Sequence, residues 1–258
     1  MALNPVVLVT AGSAGLGAAV SRLFARHGFK VVVNYCSNSA RAEELVTELN
    51  AAKDGHGENG NQHIGGGHIA IQADLASRSD VERLVQQTHQ AMTRIDAIFS
   101  NGGWTQFRDT TRLEDNTVDD DWDQTYTMNV KSHLWLMDAA APYLAEAEGC
   151  FVTTSSLAGI RGMGSSLAYS VSKAAQIHLV KGLATMLAPK IRVNAISPGL
   201  LETDWSKRFS EEQKEQHKSR TKLQRFVRVE DVAEQVLSLV KNKSITGINV
   251  TIDAGFLL

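Results

Sequence analysis

An alternation runs the length of the chain: short β-branched runs separated by longer segments with helical periodicity. The strand-like runs are Val6–Thr10, Lys30–Tyr35, His68–Gln72, Ile95–Ser100, Gly149–Thr154, Ile191–Ile196 and Ile248–Ile252. Helix-like stretches cover 16–27, 39–52, 78–92, 122–146, 168–187 and 229–241. Most of the strand runs are continuously apolar, as strands covered on both faces must be. The order predicts an α/β chain with a doubly wound, mainly parallel seven-stranded sheet, helices on both faces and right-handed crossovers. No internal repeat and no Pro-, Gly- or Ser-rich linker divides the 258 residues, so a single domain spanning 1–258 is expected.

Two segments break the rhythm. Asp54–Gly67, DGHGENGNQHIGGG, is polar and Gly-rich, and it carries His56 and His63 with His68 just after. Their spacing matches no metal-ligand pattern, so a surface loop and no metal site is expected there. Leu200–Arg225 is charged, helical-looking and long for a connection, which predicts a segment covering a substrate site at 200–225.

Composition narrows the function. With 26 Lys+Arg against 28 Asp+Glu the net charge is -2, which gives no electrostatic case for nucleic acid or an anionic membrane. Cys36 and Cys150 lie too far apart for a metal spacing and read as reduced, semi-buried thiols. Met1 to Pro5 lacks a charged start leading into an apolar stretch, and no apolar run reaches the roughly 18–20 residues of a membrane helix. A cytoplasmic protein is the default expectation.

The first strand runs directly into Ala11-Gly12-Ser13-Ala14-Gly15-Leu16-Gly17 and then an amphipathic helix. Glycines at a strand–helix turn let backbone approach a pyrophosphate, and the helix start supplies N–H donors and a positive dipole end. Further on, Tyr169 and Lys173 stand four residues apart in a helical stretch, hence on one face, with the ammonium near the phenol. A phenol of pKa about 10 needs nearby positive charge to act as a base at neutral pH. Hydride addition to a carbonyl needs oriented donors and one proton at the oxygen.

With these motifs in this order, the whole chain resembles the short-chain dehydrogenase/reductase family, which implies a Rossmann-like fold. Thr10-Ala11 through Gly15-Leu16-Gly17 matches the family's TGxxxGxG except that Ala11 replaces the first glycine, where a methyl group crowds the turn. Asp74-Leu75 stands where the family holds the adenine, and Asn101-Gly102-Gly103 stands in for its Asn-Ala-Gly. Ser156 precedes Tyr169 by 13 residues, the family's separation, and Asn129 matches its fourth catalytic residue. The resemblance implies Tyr169 as acid/base and Ser156 as hydrogen-bond partner of the substrate oxygen. It implies that Lys173 lowers the Tyr pKa and holds the nicotinamide ribose, and that Asn129 anchors a water in a proton relay. Pro198-Gly199 matches the turn beneath the nicotinamide, with the Leu201 backbone and Thr203 hydroxyl facing the carboxamide or phosphates.

Eighteen residues beyond Gly17, the second strand ends in Asn34-Tyr35-Cys36-Ser37-Asn38-Ser39 with no acidic residue, and Arg41 follows one turn into the helix. An acid there would bind the ribose hydroxyls and repel a 2′-phosphate, so its absence favours NADP(H) over NAD. Trp104, Phe107, Arg161, Met163 and Trp205 occupy positions that tend to line the substrate pocket in the family. The expected function is NADPH-dependent reduction of a ketone or aldehyde, reversible to alcohol oxidation. Imine reduction or another biosynthetic step, and a non-catalytic NADP-binding redox sensor, are the alternatives. Family members commonly form tetramers through the helices near 122–146 and 168–187, so a homotetramer or homodimer is expected.

Overall fold

The structure is a computed structural model that describes residues 4–51, 67–162 and 164–258. Its sheet has seven parallel strands in the order β3-β2-β1-β4-β5-β6-β7. These are β1 (Val6–Val9), β2 (Lys30–Tyr35), β3 (Ile69–Gln72), β4 (Ala97–Ser100), β5 (Cys150–Thr154), β6 (Arg192–Pro198) and β7 (Asn249–Ile252). The apolar runs explain themselves in the packing. Successive residues of β1 face opposite ways, so Val7 and Val9 enter one core and Val6 and Leu8 the other. All four are buried to within 1%, each contributing about 1.5–3 kcal/mol of burial.

The first core lies beneath α1 (Gly15–Arg26), α2 (Ser39–Ala51) and, further along, α8 (Val229–Lys241). The second is covered by α3 (Arg78–Met92), α5 (Ser132–Glu146) and α6 (Leu167–Leu187). The predicted single helix over 122–146 is two, α4 (Asp119–Tyr126) and α5, joined by a π-helical turn at Thr127–Lys131 that contains Asn129. Such turns insert a residue without breaking the helix, so hydrophobic periodicity does not reveal them. The 200–225 segment folds into a 3₁₀ turn, Asp204–Arg208, and α7 (Glu211–Arg220).

Chain order reverses between β1 and β4, and the crevice beyond their C-terminal ends is where an open α/β sheet places its ligand. Neither cysteine is semi-buried: Cys150 is fully buried, and Cys36, just past the end of β2, is exposed. His56 and His63 lie outside the described residues. Among the described residues, no helix is long and apolar enough to cross a membrane, and no cluster of His, Cys, Asp or Glu is arranged to hold a metal ion.

Candidate active site

Ser156 lies two residues past the end of β5 and caps a short 3₁₀ turn, its Oγ accepting the Ala158 N–H at 3.1 Å. Tyr169 stands in the first turn of α6, whose N-cap Ser166 accepts the Tyr169 N–H at 3.2 Å. Two side chains lock the turn to the helix: Ser155 Oγ donates to the Lys173 carbonyl at 2.9 Å and Ser170 Oγ to the Ala158 carbonyl at 2.9 Å. Ser156, Tyr169 and Lys173 thereby line one cleft of about 670 Å³.

Burial raises the Tyr169 phenol above its ordinary value, and a hydrogen bond with Ser156 offsets part of that rise. Desolvation of the phenolate outweighs that hydrogen bond, so the phenol holds its proton at neutral pH. Lys173 is 3% exposed, lies 5.8 Å from the Tyr169 ring centre, and donates from Nζ to the Thr154 carbonyl at 2.8 Å. Burial lowers its ammonium to about 7.

Asn129 is fully buried and absent from the cleft wall. Its Oδ1 accepts the Trp104 N–H at 2.8 Å, while Nδ2 donates to the Trp104 carbonyl at 2.9 Å and to Ser172 Oγ at 3.0 Å. The amide is spent on bracing the segment after β4 against α6. Both Nδ2 hydrogens and one of the two acceptor positions of Oδ1 are used in this way.

At the other end of the cleft, Gly15 and Leu16 open α1. Its N-cap, Ala14, supplies no side-chain acceptor and the first turn has no acid, so the helix N–H groups and dipole are left for an anion. A Cβ on Gly17 would come 2.2 Å from the Ala11 carbonyl oxygen, and one on Gly12 2.7 Å from that of Val9. The tight loop therefore excludes side chains at both positions. Ala11 adopts φ of 47°, the left-handed region that favours the glycine it replaces. Asn101 is set beside the loop by Thr10, whose Oγ1 accepts the Asn101 N–H at 2.9 Å. The uncapped start of α1 and the side-chain-free loop before it form a seat suited to an anion.

The comparisons agree with the geometry. A family model described as enoyl-(acyl carrier protein) reductase matches residues 10–257. A protein named as a ketoacyl reductase of the granaticin polyketide synthase of Streptomyces violaceoruber is 33% identical, covering 97% of this chain and 95% of its own. A 3-oxoacyl-[acyl-carrier-protein] reductase of Synechocystis is 31% identical, over 98% of this chain and 97% of its own. The chain belongs to the short-chain dehydrogenase/reductase family. Among solved structures of that family, a short-chain dehydrogenase from Burkholderia cenocepacia in complex with NADP superposes with a TM-score of 0.85 and 32% identity, covering 99% of each chain. This short-chain dehydrogenase/reductase is accordingly an oxidoreductase of the nicotinamide-dependent kind.

Of the remaining sequence-predicted residues, Gly103, Pro198, Gly199, Leu201 and Thr203 line the cleft. Gly12, Ser13, Gly17 and Gly102 are not among the lining residues, and a Cβ on Gly102 would meet the buried Leu75. Asp74 holds the turn into α3, its Oδ1 accepting the Ala76 N–H at 2.9 Å. Asn34 departs from expectation. It is buried, its Oδ1 accepts the Ala11 N–H at 3.1 Å, and its Nδ2 reaches the Ala73 carbonyl at 3.2 Å. Its side-chain amide latches the glycine loop to the strand edge. Tyr35 packs against the core. Ser37, Asn38 and Ser39 are exposed, and Asn38 caps α2 by accepting the Arg41 N–H at 3.0 Å. Arg41 lines the cleft, where its guanidinium meets Asp204 at 3.0 Å.

At the substrate end, Arg161 lines the cleft with its guanidinium 5.6 Å from the Phe256 ring centre. Phe107 braces Phe209 edge-on at 5.3 Å, and Trp104 is half-buried with its backbone held by Asn129. Met163 lies outside the described residues, as does the side chain of Trp205. Sequence reasoning missed Phe209, His217 and Phe256, which line the cleft together; His217 stacks on Phe256 at 4.6 Å. Only the expectation of a cover at 200–225 pointed toward the first two.

Proposed function

We propose that the protein is an NADP(H)-dependent reductase of a ketone or aldehyde, reversible to alcohol oxidation. The observation that carries this reading is the meeting of Ser156, Tyr169 and Lys173 in one cleft with the uncapped start of α1. A reduced nicotinamide bound there supplies the hydride. In this reading Ser156 and Tyr169 donate hydrogen bonds to the carbonyl oxygen, and Tyr169, protonated at neutral pH, delivers its proton as charge develops there. Lys173 places positive charge beneath the phenol and reaches the ribose. Asn129 acts through the backbone it braces, and the Asn101–Gly103 turn walls the cofactor side.

Preference for the 2′-phosphorylated nucleotide rests on the exposed, acid-free run Cys36 to Ser39 and on Arg41, which can exchange Asp204 for a phosphate. The NADP in the Burkholderia cenocepacia structure supports it. Relatives named as ketoacyl reductases favour a carbonyl over an imine. Residues 200–225 act as a substrate cover within a single domain, since Phe209, Gln213 and His217 all face the cleft. Exposed apolar side chains at Tyr126, Leu134, Leu167 and Val171 favour self-association through α4–α6 as a dimer or tetramer.

The test is NADPH and NADH oxidation by the purified protein against a panel of ketones and aldehydes, including β-ketoacyl thioesters. Turnover with NADPH on at least one carbonyl is expected. Tight NADPH binding without turnover on any member of the panel would contradict carbonyl reduction.

A further inference from the structure

A chain of hydrogen bonds runs inward from Lys173, away from the cleft, and its directions are fixed by chemistry. The Lys173 ammonium donates to Gln176 Oε1 at 2.9 Å. An ammonium only donates, so the amide must turn its oxygen to Lys173 and its Nε2 away. That Nε2 contacts Thr153 Oγ1 and His133 Nε2, the latter at 3.0 Å. An amide N–H only donates as well, so His133 Nε2 is the acceptor and the imidazole proton sits on Nδ1. Nδ1 then donates to Ser100 Oγ at 2.5 Å, with Thr153 Oγ1 also near at 3.2 Å. Thr153 Oγ1, accepting from Gln176, donates its own hydrogen bond to the Ser100 carbonyl at 3.2 Å. Gln176, His133, Thr153 and Ser100 are each no more than 2% exposed.

The arrangement is costly unless complete, since a buried polar group without a partner loses its hydration for nothing. Apolar residues at 133 and 176 would fill the space between α5, α6 and the sheet without that risk. His133 has no room for a second proton: its Nε2 faces an N–H, and burial with the nearby Lys173 charge lowers it to about 3. The groups facing it are Ser100 on β4, Thr153 on β5, Lys173 and Gln176 on α6, and the Gly102 backbone. Of these only Lys173 titrates. The ammonium itself forms no ion pair with a carboxylate among the described residues; its partners are Gln176 and the Thr154 carbonyl.

We infer that Gln176 and His133 are positioning residues for the reaction, forming with Ser100 a buried strut that fixes the Lys173 ammonium beneath Tyr169. The inference rests on the proposed carbonyl reduction for its kinetic consequence, and on the strut geometry alone for its effect on Lys173. Gln176 supplies one of two acceptors that keep the lysine charged, and His133 keeps Gln176 from rotating.

The experiment compares the unsubstituted protein with Gln176→Met and His133→Phe. Lys173 is titrated by NMR of ¹³C-labelled lysine, its signal assigned with Lys173→Met, and kcat is measured against pH. Gln176→Met is expected to move the Lys173 midpoint down by about one pH unit, as loss of a charge-assisted hydrogen bond should. It should move the matching limb of the kcat profile the same way and lower kcat about tenfold with KM for the carbonyl within twofold. His133→Phe should act in the same direction and less. Gln176→Glu, which keeps an acceptor and adds charge, should move the midpoint up, and it serves if Gln176→Met does not fold. A Lys173 midpoint and kcat profile unchanged in these variants, with only thermal stability lost, would overturn the inference and leave a purely structural network. Absence of turnover in the unsubstituted protein would count against the proposed function, while the NMR midpoints would still decide the strut.

Discussion

Around Ser156 and Tyr169 the groups in play are enclosed: Lys173 is 3% exposed, and Gln176, His133, Thr153 and Ser100 behind it are buried. At the far end of the same cleft, Ser37, Asn38, Ser39 and Arg41 are exposed, and Arg41 meets Asp204 through a pair whose side chains are 48% and 51% accessible. The first region gains strength from low dielectric, where each hydrogen bond is electrostatically strong and each missing partner is costly. The second works in water, where an ion pair contributes little and exchanges readily. The enclosed end therefore suits chemistry that depends on protonation state. The open end suits recognition of a phosphate that must come and go. A change at the enclosed end should strike turnover, and a change at the open end should strike affinity.

Ser156→Ala should give the largest contrast, lowering kcat by roughly 10²–10³-fold, as loss of a donor to a developing oxyanion does. NADPH affinity should stay within twofold; steady-state kinetics beside a fluorescence titration separates the two, and an effect on affinity alone would reverse the comparison. Arg41→Ala should do the opposite, raising the NADPH Kd about tenfold through loss of a charge-assisted contact. Its NADH Kd and its kcat should barely move, and equal weakening of both nucleotides would place the phosphate elsewhere.

A third test uses stability. The folded-state midpoint of Lys173 falls from the usual 10.5 to about 7 through burial. Between those values the unfolded chain binds more protons than the folded one, so this lysine makes the fold more stable as pH rises. Urea unfolding at pH 7, 8.5 and 10 should show the stability difference between the unsubstituted chain and Lys173→Met moving in favour of the unsubstituted chain. The change should be at most about 1.4 kcal/mol per pH unit. A constant difference would mean the ammonium is not desolvated. The smallest expected effect is at Ala11, exposed and left-handed at φ of 47°. Ala11→Gly should relieve that strain for up to about 1 kcal/mol, raising Tm by roughly 2–4 °C. A lower Tm would show that the loop gains more from alanine's reduced freedom in the unfolded chain.

Much of this was legible in the sequence because it depends on local pattern. Strands buried on both faces must be apolar without alternation, so all seven were readable, their ends shifting by no more than two residues. Tyr169 and Lys173 were readable because four residues in a helix return to the same face. What escaped depends on tertiary partners. Gln176 lies three residues beyond Lys173 on that face, but only the fold brings His133 across from α5 to orient it. Asn34 reads as a polar group at a strand end, and nothing local says that its amide turns inward to hold Ala11. Phe209, His217 and Phe256 come from a turn, α7 and the segment after β7, and they share a wall only once the chain has folded.

The most direct measurement is Tyr169→Phe, with NADPH binding and single-turnover NADPH oxidation followed on the same preparation with an active carbonyl. The phenol is the one proton donor the account requires, so the rate should fall by roughly 10²–10⁴-fold while the NADPH Kd stays within twofold. Retention of more than a few per cent of the rate, with cofactor still bound, would contradict proton delivery by Tyr169 and the function built on it.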